Sequence, residues 1–391
     1  MRRRISAHVL LLVTLAYIGH AQPQSEMVIG TMHDIESELL SETRAYWVSL
    51  PDSYHQATHS YKTYPLLIVL DGQAHFRSVA GMLHFMSTSR NGSQRVPEMI
   101  VVGVISTNRE RDFTPDKIVT RRQNDTGGGD QFLGFLETEL IPILKDTYRL
   151  APYNVLMGHS LGGLLASHAY MKAETVFDAF LAIDPSFGTW DAATMDQKIE
   201  AMTNASHNRF LYIATANWGT RNLRNRDRHV RFYEALHRSA GAELFRAKHT
   251  YFEDENHGSV PMIAFYDGFS TLFEGYGLTY RDVASPEQLD AHYKVISKRL
   301  SYDFPPPEAL VNRIGYQLLR QDEEVQKKMA LSYFELNARN FPASFNVFDS
   351  LGEAYAVLGD TSNAIENYRR SLSLNPQNEH ARSQLDTLTE Q

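Results

Sequence analysis

The sequence predicts an α/β fold, a mostly parallel central sheet flanked by helices, followed by a small all-α C-terminal domain. Three observations carry this expectation. Residues 64–70 and 99–105 are continuous apolar runs rather than alternating ones, which suits strands buried on both faces. Further strand-like runs at 153–157, 180–183 and 210–214 are separated by helical patterns such as 230–237. After about residue 285 the strand signals stop, and the chain becomes polar and helical.

Taken in chain order, the first residues read as an export signal. Met1, Arg2, Arg3 and Arg4 make a basic start, and residues 9–18 are apolar over too short a length to span a bilayer comfortably. Gly19 and Ala21 place small residues where a signal peptidase reads, so the expected leader is 1–21 and the expected location periplasmic or secreted. The main domain is then 22–284. It opens with a strand pair over 27–50, in which Arg44 to Leu50 alternate until Pro51 and Asp52 end the run. The polar segment 106–129 closes on three glycines. Asp130 follows as the expected N-cap of a helix with apolar positions Phe132, Leu133, Leu136, Leu140 and Ile143.

Residues 285–307, ending in Phe304-Pro305-Pro306-Pro307, read as a linker to a tetratricopeptide-like domain over 308–391. Phe348, Leu351, Gly352, Tyr355, Ala364, Tyr368 and Pro376 fall on the spacing of that repeat. Ala330, Phe334 and Pro342 match Ala364, Tyr368 and Pro376 one period earlier, and Gly315-Tyr316 mark a degenerate first helix. Small residues let paired helices approach while the aromatic fills the groove between them.

Composition narrows the classes. With 391 residues, 43% of them hydrophobic and 21% charged, the chain is ordinary globular material for one large domain and a small second one. A net charge of −8 disfavours nucleic acid as a partner. The absence of cysteine rules out disulfides, thiolate metal sites and a cysteine nucleophile.

The most informative stretch is Gly158-His159-Ser160-Leu161-Gly162, which runs from an apolar strand into a helix. Glycines at both ends let strand and helix approach, so the serine sits on a strained turn with its hydroxyl presented. The following helix aims backbone N–H groups at the point where an oxyanion would develop. This is the nucleophile elbow of the α/β-hydrolase fold, with Ser160 as nucleophile and the Leu161 amide as first oxyanion donor. The Gly72 or Gln73 amide, on the turn after an early central strand, is the candidate second donor.

A serine hydroxyl needs a base, which in this architecture lies on a loop after the last strand. Of 16 histidines, His257 fits, because it follows the strand-like 249–252 and precedes a helical stretch. The acid is expected after a late strand between serine and histidine. Asp227 is the first carboxylate after the strand 210–214 and is favoured slightly. Glu255, two residues from His257, and a dyad without an acid remain open beside it.

With these residues in place, the chain resembles the esterase family of α/β-hydrolases that includes esterase D-like enzymes, feruloyl esterases and siderophore trilactone esterases. The landmarks are Tyr64-Pro65, Leu70-Asp71-Gly72, Arg109 to Pro115, the elbow, Asp184-Pro185-Ser186 and His257-Gly258-Ser259-Val260. They span residues 27–275, and the tail is similar to the repeat extension of some exported members. The resemblance implies ester hydrolysis without a metal or organic cofactor. Two features depart from it. Asp184 stands where members often have serine, and the loop Asn217-Trp218-Gly219-Thr220 lacks an acidic residue.

No zinc-binding or nucleotide-loop spacing is present. Arg109, Arg111, Arg121 and Arg122, and Arg221, Arg224, Arg226, Arg228 and Arg231, crowd two segments near the expected site. Surface pairing with carboxylates is favoured over a cationic rim for an anionic ester. The expected partner is a small-molecule ester, with a protein or peptide partner open to the repeats and no stable membrane insertion. The rival readings are a silent hydrolase-fold scaffold and a peptidase or acyltransferase using the same serine.

Overall fold

The computed structural model describes residues 27–88, 94–118, 125–190, 192–203, 208–219, 223–239, 247–279 and 281–390. The expected leader 1–21 lies outside them, as do Arg121, Arg122 and Arg221.

The chain begins with strands β1 (Thr31–Ser37), β2 (Glu42–Ser49) and β3 (Tyr64–Val69), then helix α1 (Gly72–Ser87) and β4 (Ile100–Val104). Helices α2 (Arg109–Phe113), α3 (Gly129–Phe135) and α4 (Ile141–Thr147) lead to β5 (Leu150–His159) and α5 (Leu161–Met171). Then come β6 (Ala179–Ile183), α6 (Ala192–Thr203), β7 (Phe210–Ala216), α7 (Leu223–Ser239), β8 (Ala247–Phe252) and α8 (Val260–Leu272). The tail is α9 (Pro286–Leu300), α10 (Glu308–Leu319), α11 (Glu324–Asn340), α12 (Phe345–Val357), α13 (Thr361–Leu374) and α14 (Glu379–Thr389).

The strands form one sheet in the order β1-β2-β4-β3-β5-β6-β7-β8. β1, β2 and β4 pair antiparallel, and every pairing from β4 to β8 is parallel. The apolar runs behave as their composition requires, since every residue of β3, β4 and β6 is buried. Parallel strands all end on one edge. The turns after β3, β5, β6, β7 and β8 therefore gather there; Ser160 and His257 lie on those after β5 and β8, and Gly72 and Leu161 open the helices that follow β3 and β5.

Three local expectations need correction. The helix expected from Asp130 begins at Gly129 with Gly128 before it, and the Asp130 carboxylate instead accepts hydrogen bonds from His168 and Lys172. Ile143 is 41% exposed, and Ile141 and Leu144 are buried in its place. A π-helical turn at Leu136–Leu140 joins α3 to α4. Its extra residue rotates the buried stripe past the position that a regular helix would bury.

The third concerns 285–307, which is no free linker. Leu289, Tyr293, Ile296 and Leu300 of α9 are buried in one cluster with sheet residues such as Val69 and Val155, and that cluster takes in Leu310, Val311, Tyr333 and Leu336 of the tail. Phe304 is buried against Tyr153. The spacing 286, 289, 293, 296, 300 is a helical stripe, and the prolines begin only after it. Beyond, α10 with α11 and α12 with α13 form two helical hairpins. The ring of Phe334 lies on Gly315 and that of Tyr368 on Gly352, where a Cβ would come within 2.7 and 3.0 Å.

Candidate active site

The site is built around the turn between β5 and α5. Ser160 adopts φ 61°, ψ −116°, a strained region for a residue with a Cβ. Gly158 makes the turn feasible, because a Cβ there would lie 2.3 Å from the carbonyl carbon of Gly162. The Ser160 amide donates to Ile183 O at 2.9 Å, and the Ser186 amide donates to Ser160 O at 3.0 Å, so the elbow is tied to the turn after β6.

The structure brings Ser160 and His257 together, with Nε2 of the imidazole 3.1 Å from the serine Oγ. The carboxylate on the far side of His257 is Asp184, whose Oδ2 lies 2.5 Å from Nδ1. A carboxylate only accepts, so Nδ1 carries the proton. Nε2 is thereby left to accept the serine hydroxyl. Ser186 Oγ, 3.1 Å from Ser160 Oγ, is then the donor to that oxygen.

Asp227 is corrected by this geometry. It is exposed on α7, while Asp184 is wholly buried at the end of β6. Nδ1 of His257 is taken by Asp184 and not by Glu255, whose main-chain carbonyl accepts Asn217 N–H at 2.7 Å. The expectation placed the acid after β7, yet β6 pairs directly with β5, the strand that ends in the Ser160 turn. The signal was present as the departure at Asp184-Pro185-Ser186, an aspartate at the end of a fully apolar strand.

Burial alone would raise the Asp184 pKa, but the hydrogen bond from His257 and the donor at Ala216 hold it below the usual carboxylate range. Ala216 N–H reaches Oδ1 at 3.1 Å, and the Trp218 indole N–H reaches Oδ2 at 2.9 Å. Behind it lies a buried chain of polar groups. His229 must donate from Nε2 to Pro185 O at 2.6 Å, so its Nδ1 accepts from Thr215 Oγ1 at 2.8 Å. Thr215 in turn accepts from His249 Nε2 at 2.7 Å.

Burial pushes the His229 pKa down to about 4 and, with the nearby His257 and His75, that of His159 to about 3. An unfolded histidine takes its proton near 6.5, so folded stability from His229 is complete above that pH and is lost as pH falls toward 4. Chemical unfolding should show stability at pH 5 lower than at pH 7 by roughly 2 kcal/mol from this residue alone. A flat profile over that range would contradict the assigned neutral state.

The candidate oxyanion donors head two helices, Leu161 for α5 and Gly72 with Gln73 for α1, where N–H groups have no intrahelical acceptor. The two helix starts adjoin, since a Cβ on Gly162 would lie 3.4 Å from the Leu70 side chain. Asp71, at φ 54°, accepts from Ser106 and Arg109, and Arg109 Nη2 donates to His159 O at 3.1 Å. Arg109 thus joins the two turns. Arg111 pairs with Glu42 and Asp112, Arg231 pairs with Asp196, and Arg226 lies over Tyr251. Among the described residues, no group of three histidines or carboxylates is placed to share a metal ion.

The family model described as Putative esterase matches residues 37–272. The chain is 28% identical over 176 residues to the siderophore triacetylfusarinine C esterase of Aspergillus fumigatus, covering 38% of this chain and 60% of that one. It is 26% identical over 138 residues to the ferri-bacillibactin esterase BesA of Bacillus subtilis, covering 32% and 48%. The chain therefore spans about three fifths or less of the length of these curated relatives. Among solved structures, an IroE-like serine hydrolase from Shewanella oneidensis superposes with a TM-score of 0.71 at 28% identity, covering 80% of this chain and 99% of that one.

Proposed function

The chain belongs to the esterase family, and from that membership we propose that it is a serine hydrolase cleaving carboxylic esters through an acyl-enzyme on Ser160. The observation that carries the reading is the unbroken line from Ser160 Oγ through His257 to buried Asp184. His257 Nε2 takes the hydroxyl proton as Oγ attacks the ester carbonyl, and Asp184 stabilises the imidazolium that forms. The amides of Leu161 and of Gly72 or Gln73 receive the oxyanion. The imidazolium then protonates the leaving alcohol. Water, deprotonated by the same nitrogen, attacks the acyl carbon, and Ser160 leaves with the proton restored.

Two relatives carry names of siderophore esterases, so ester-linked siderophores are the first natural substrates to try. Fluorophosphonate should label the wild type and an aryl ester should turn over, with both lost in Ser160→Ala. A folded wild type that neither labels nor hydrolyses would sink the assignment. The basic start and apolar stretch of 1–21 support export, for which a secreted chain beginning at Gln22 is the expected mass-spectrometric result.

A further inference from the structure

The loop after β7 occupies the place from which the sequence led us to expect the acid, and it supplies none. It supplies donors and a ring instead. Ala216 N–H and Trp218 Nε1–H satisfy the two oxygens of Asp184 separately, at 3.1 and 2.9 Å. The Trp218 ring lies 4.6 Å from the His257 ring between centroids, and His159 approaches the same imidazole at 4.4 Å. Asn217 fastens this loop to the one bearing His257. Its amide donates to Glu255 O and its side chain to Glu253 O, both at 2.7 Å.

We propose that Trp218 is the positioning residue of this site, fixing the plane of the Asp184 carboxylate and the tilt of the His257 ring. An acid borne by β6 reaches the imidazole from one strand nearer the nucleophile than a β7 acid would. With one oxygen held by Ala216, the carboxylate can still turn about its Cβ–Cγ bond. A second donor on the other oxygen stops that rotation, and Oδ2 stays on Nδ1. The indole also shields the Nδ1–Oδ2 bond from water on the side where His257 is partly exposed. Trp218 is itself 38% exposed, so its replacement leaves the core untouched.

The proposal rests on the serine hydrolase reading, and the test separates the two. Trp218→Phe keeps a ring and removes the N–H. It should lower kcat about tenfold to a hundredfold with KM within twofold, the size expected for one hydrogen bond to a buried charge. The rate of fluorophosphonate labelling should fall in parallel. Trp218→Ala, which removes ring and donor, should fall further.

Full kcat in a folded Trp218→Phe, or a change confined to KM, would overturn the proposal. A folded wild type that neither labels nor hydrolyses overturns the hydrolase reading, and the positioning role of Trp218 with it.

Discussion

Asp184→Asn should lower kcat by about three to four orders of magnitude, while Asp227→Asn and Glu255→Gln stay within about twofold of wild type. The amide keeps the shape of the side chain but can present its NH2 group to His257. The imidazole then carries its proton on Nε2, where it faces Ser160 and cannot accept the hydroxyl proton. Asp184 is also buried, so no solvent replaces the lost negative charge beside the imidazolium. Steady-state kinetics on the three variants decide the matter. If Asp227→Asn carries the large loss, the assignment of Asp184 as the acid is wrong.

Gly158→Ala should eliminate labelling of Ser160 by collapsing the turn that presents it. The added Cβ would lie 2.3 Å from the carbonyl carbon of Gly162 and 2.4 Å from its oxygen, both main-chain atoms that cannot rotate away. Either β5 and α5 separate or the φ and ψ of Ser160 relax, at a cost of about 3 kcal/mol or more in this close-packed region. Gly219→Ala is the natural contrast, since space is open around that residue and only its φ of 67° is lost. Thermal unfolding together with fluorophosphonate labelling would measure both. A Gly158→Ala protein with wild-type melting and labelling would show that the elbow tolerates a side chain.

Much of the sheet was legible because its signal is local. A run such as 64–70 has no polar residue to place at a surface, so it reads as a strand buried on both faces. Gly158 and Gly162 flanking Ser160 state their close approach in the sequence itself. Which carboxylate meets His257 was not legible in the same way. Ser160, Asp184 and His257 stand on three different strand ends, and only the order β5-β6-β7-β8 brings them together. Asp227 satisfied a rule about sequence order, while Asp184 satisfied the distance. α9 was misread for a related reason. Its stripe at 289, 293, 296 and 300 is plain, but a prominent proline run beside it drew the boundary too early. Ile143 failed because a π turn changes the helical period without a residue type that announces it.

The burial of α9 and α10 in the sheet's own cluster also bears on what the tail can do for the rest of the chain. Leu310 and Val311 pack with the residues that support β3 and β5, and Tyr61 donates to Glu308 across the same junction. The hairpins are therefore not a flag on a tether but an arm bolted to the body. Anything seated on them would be held at a set distance and orientation from Ser160. A tail built this way cannot be exchanged as a cassette between relatives unless the sheet face beneath it changes too.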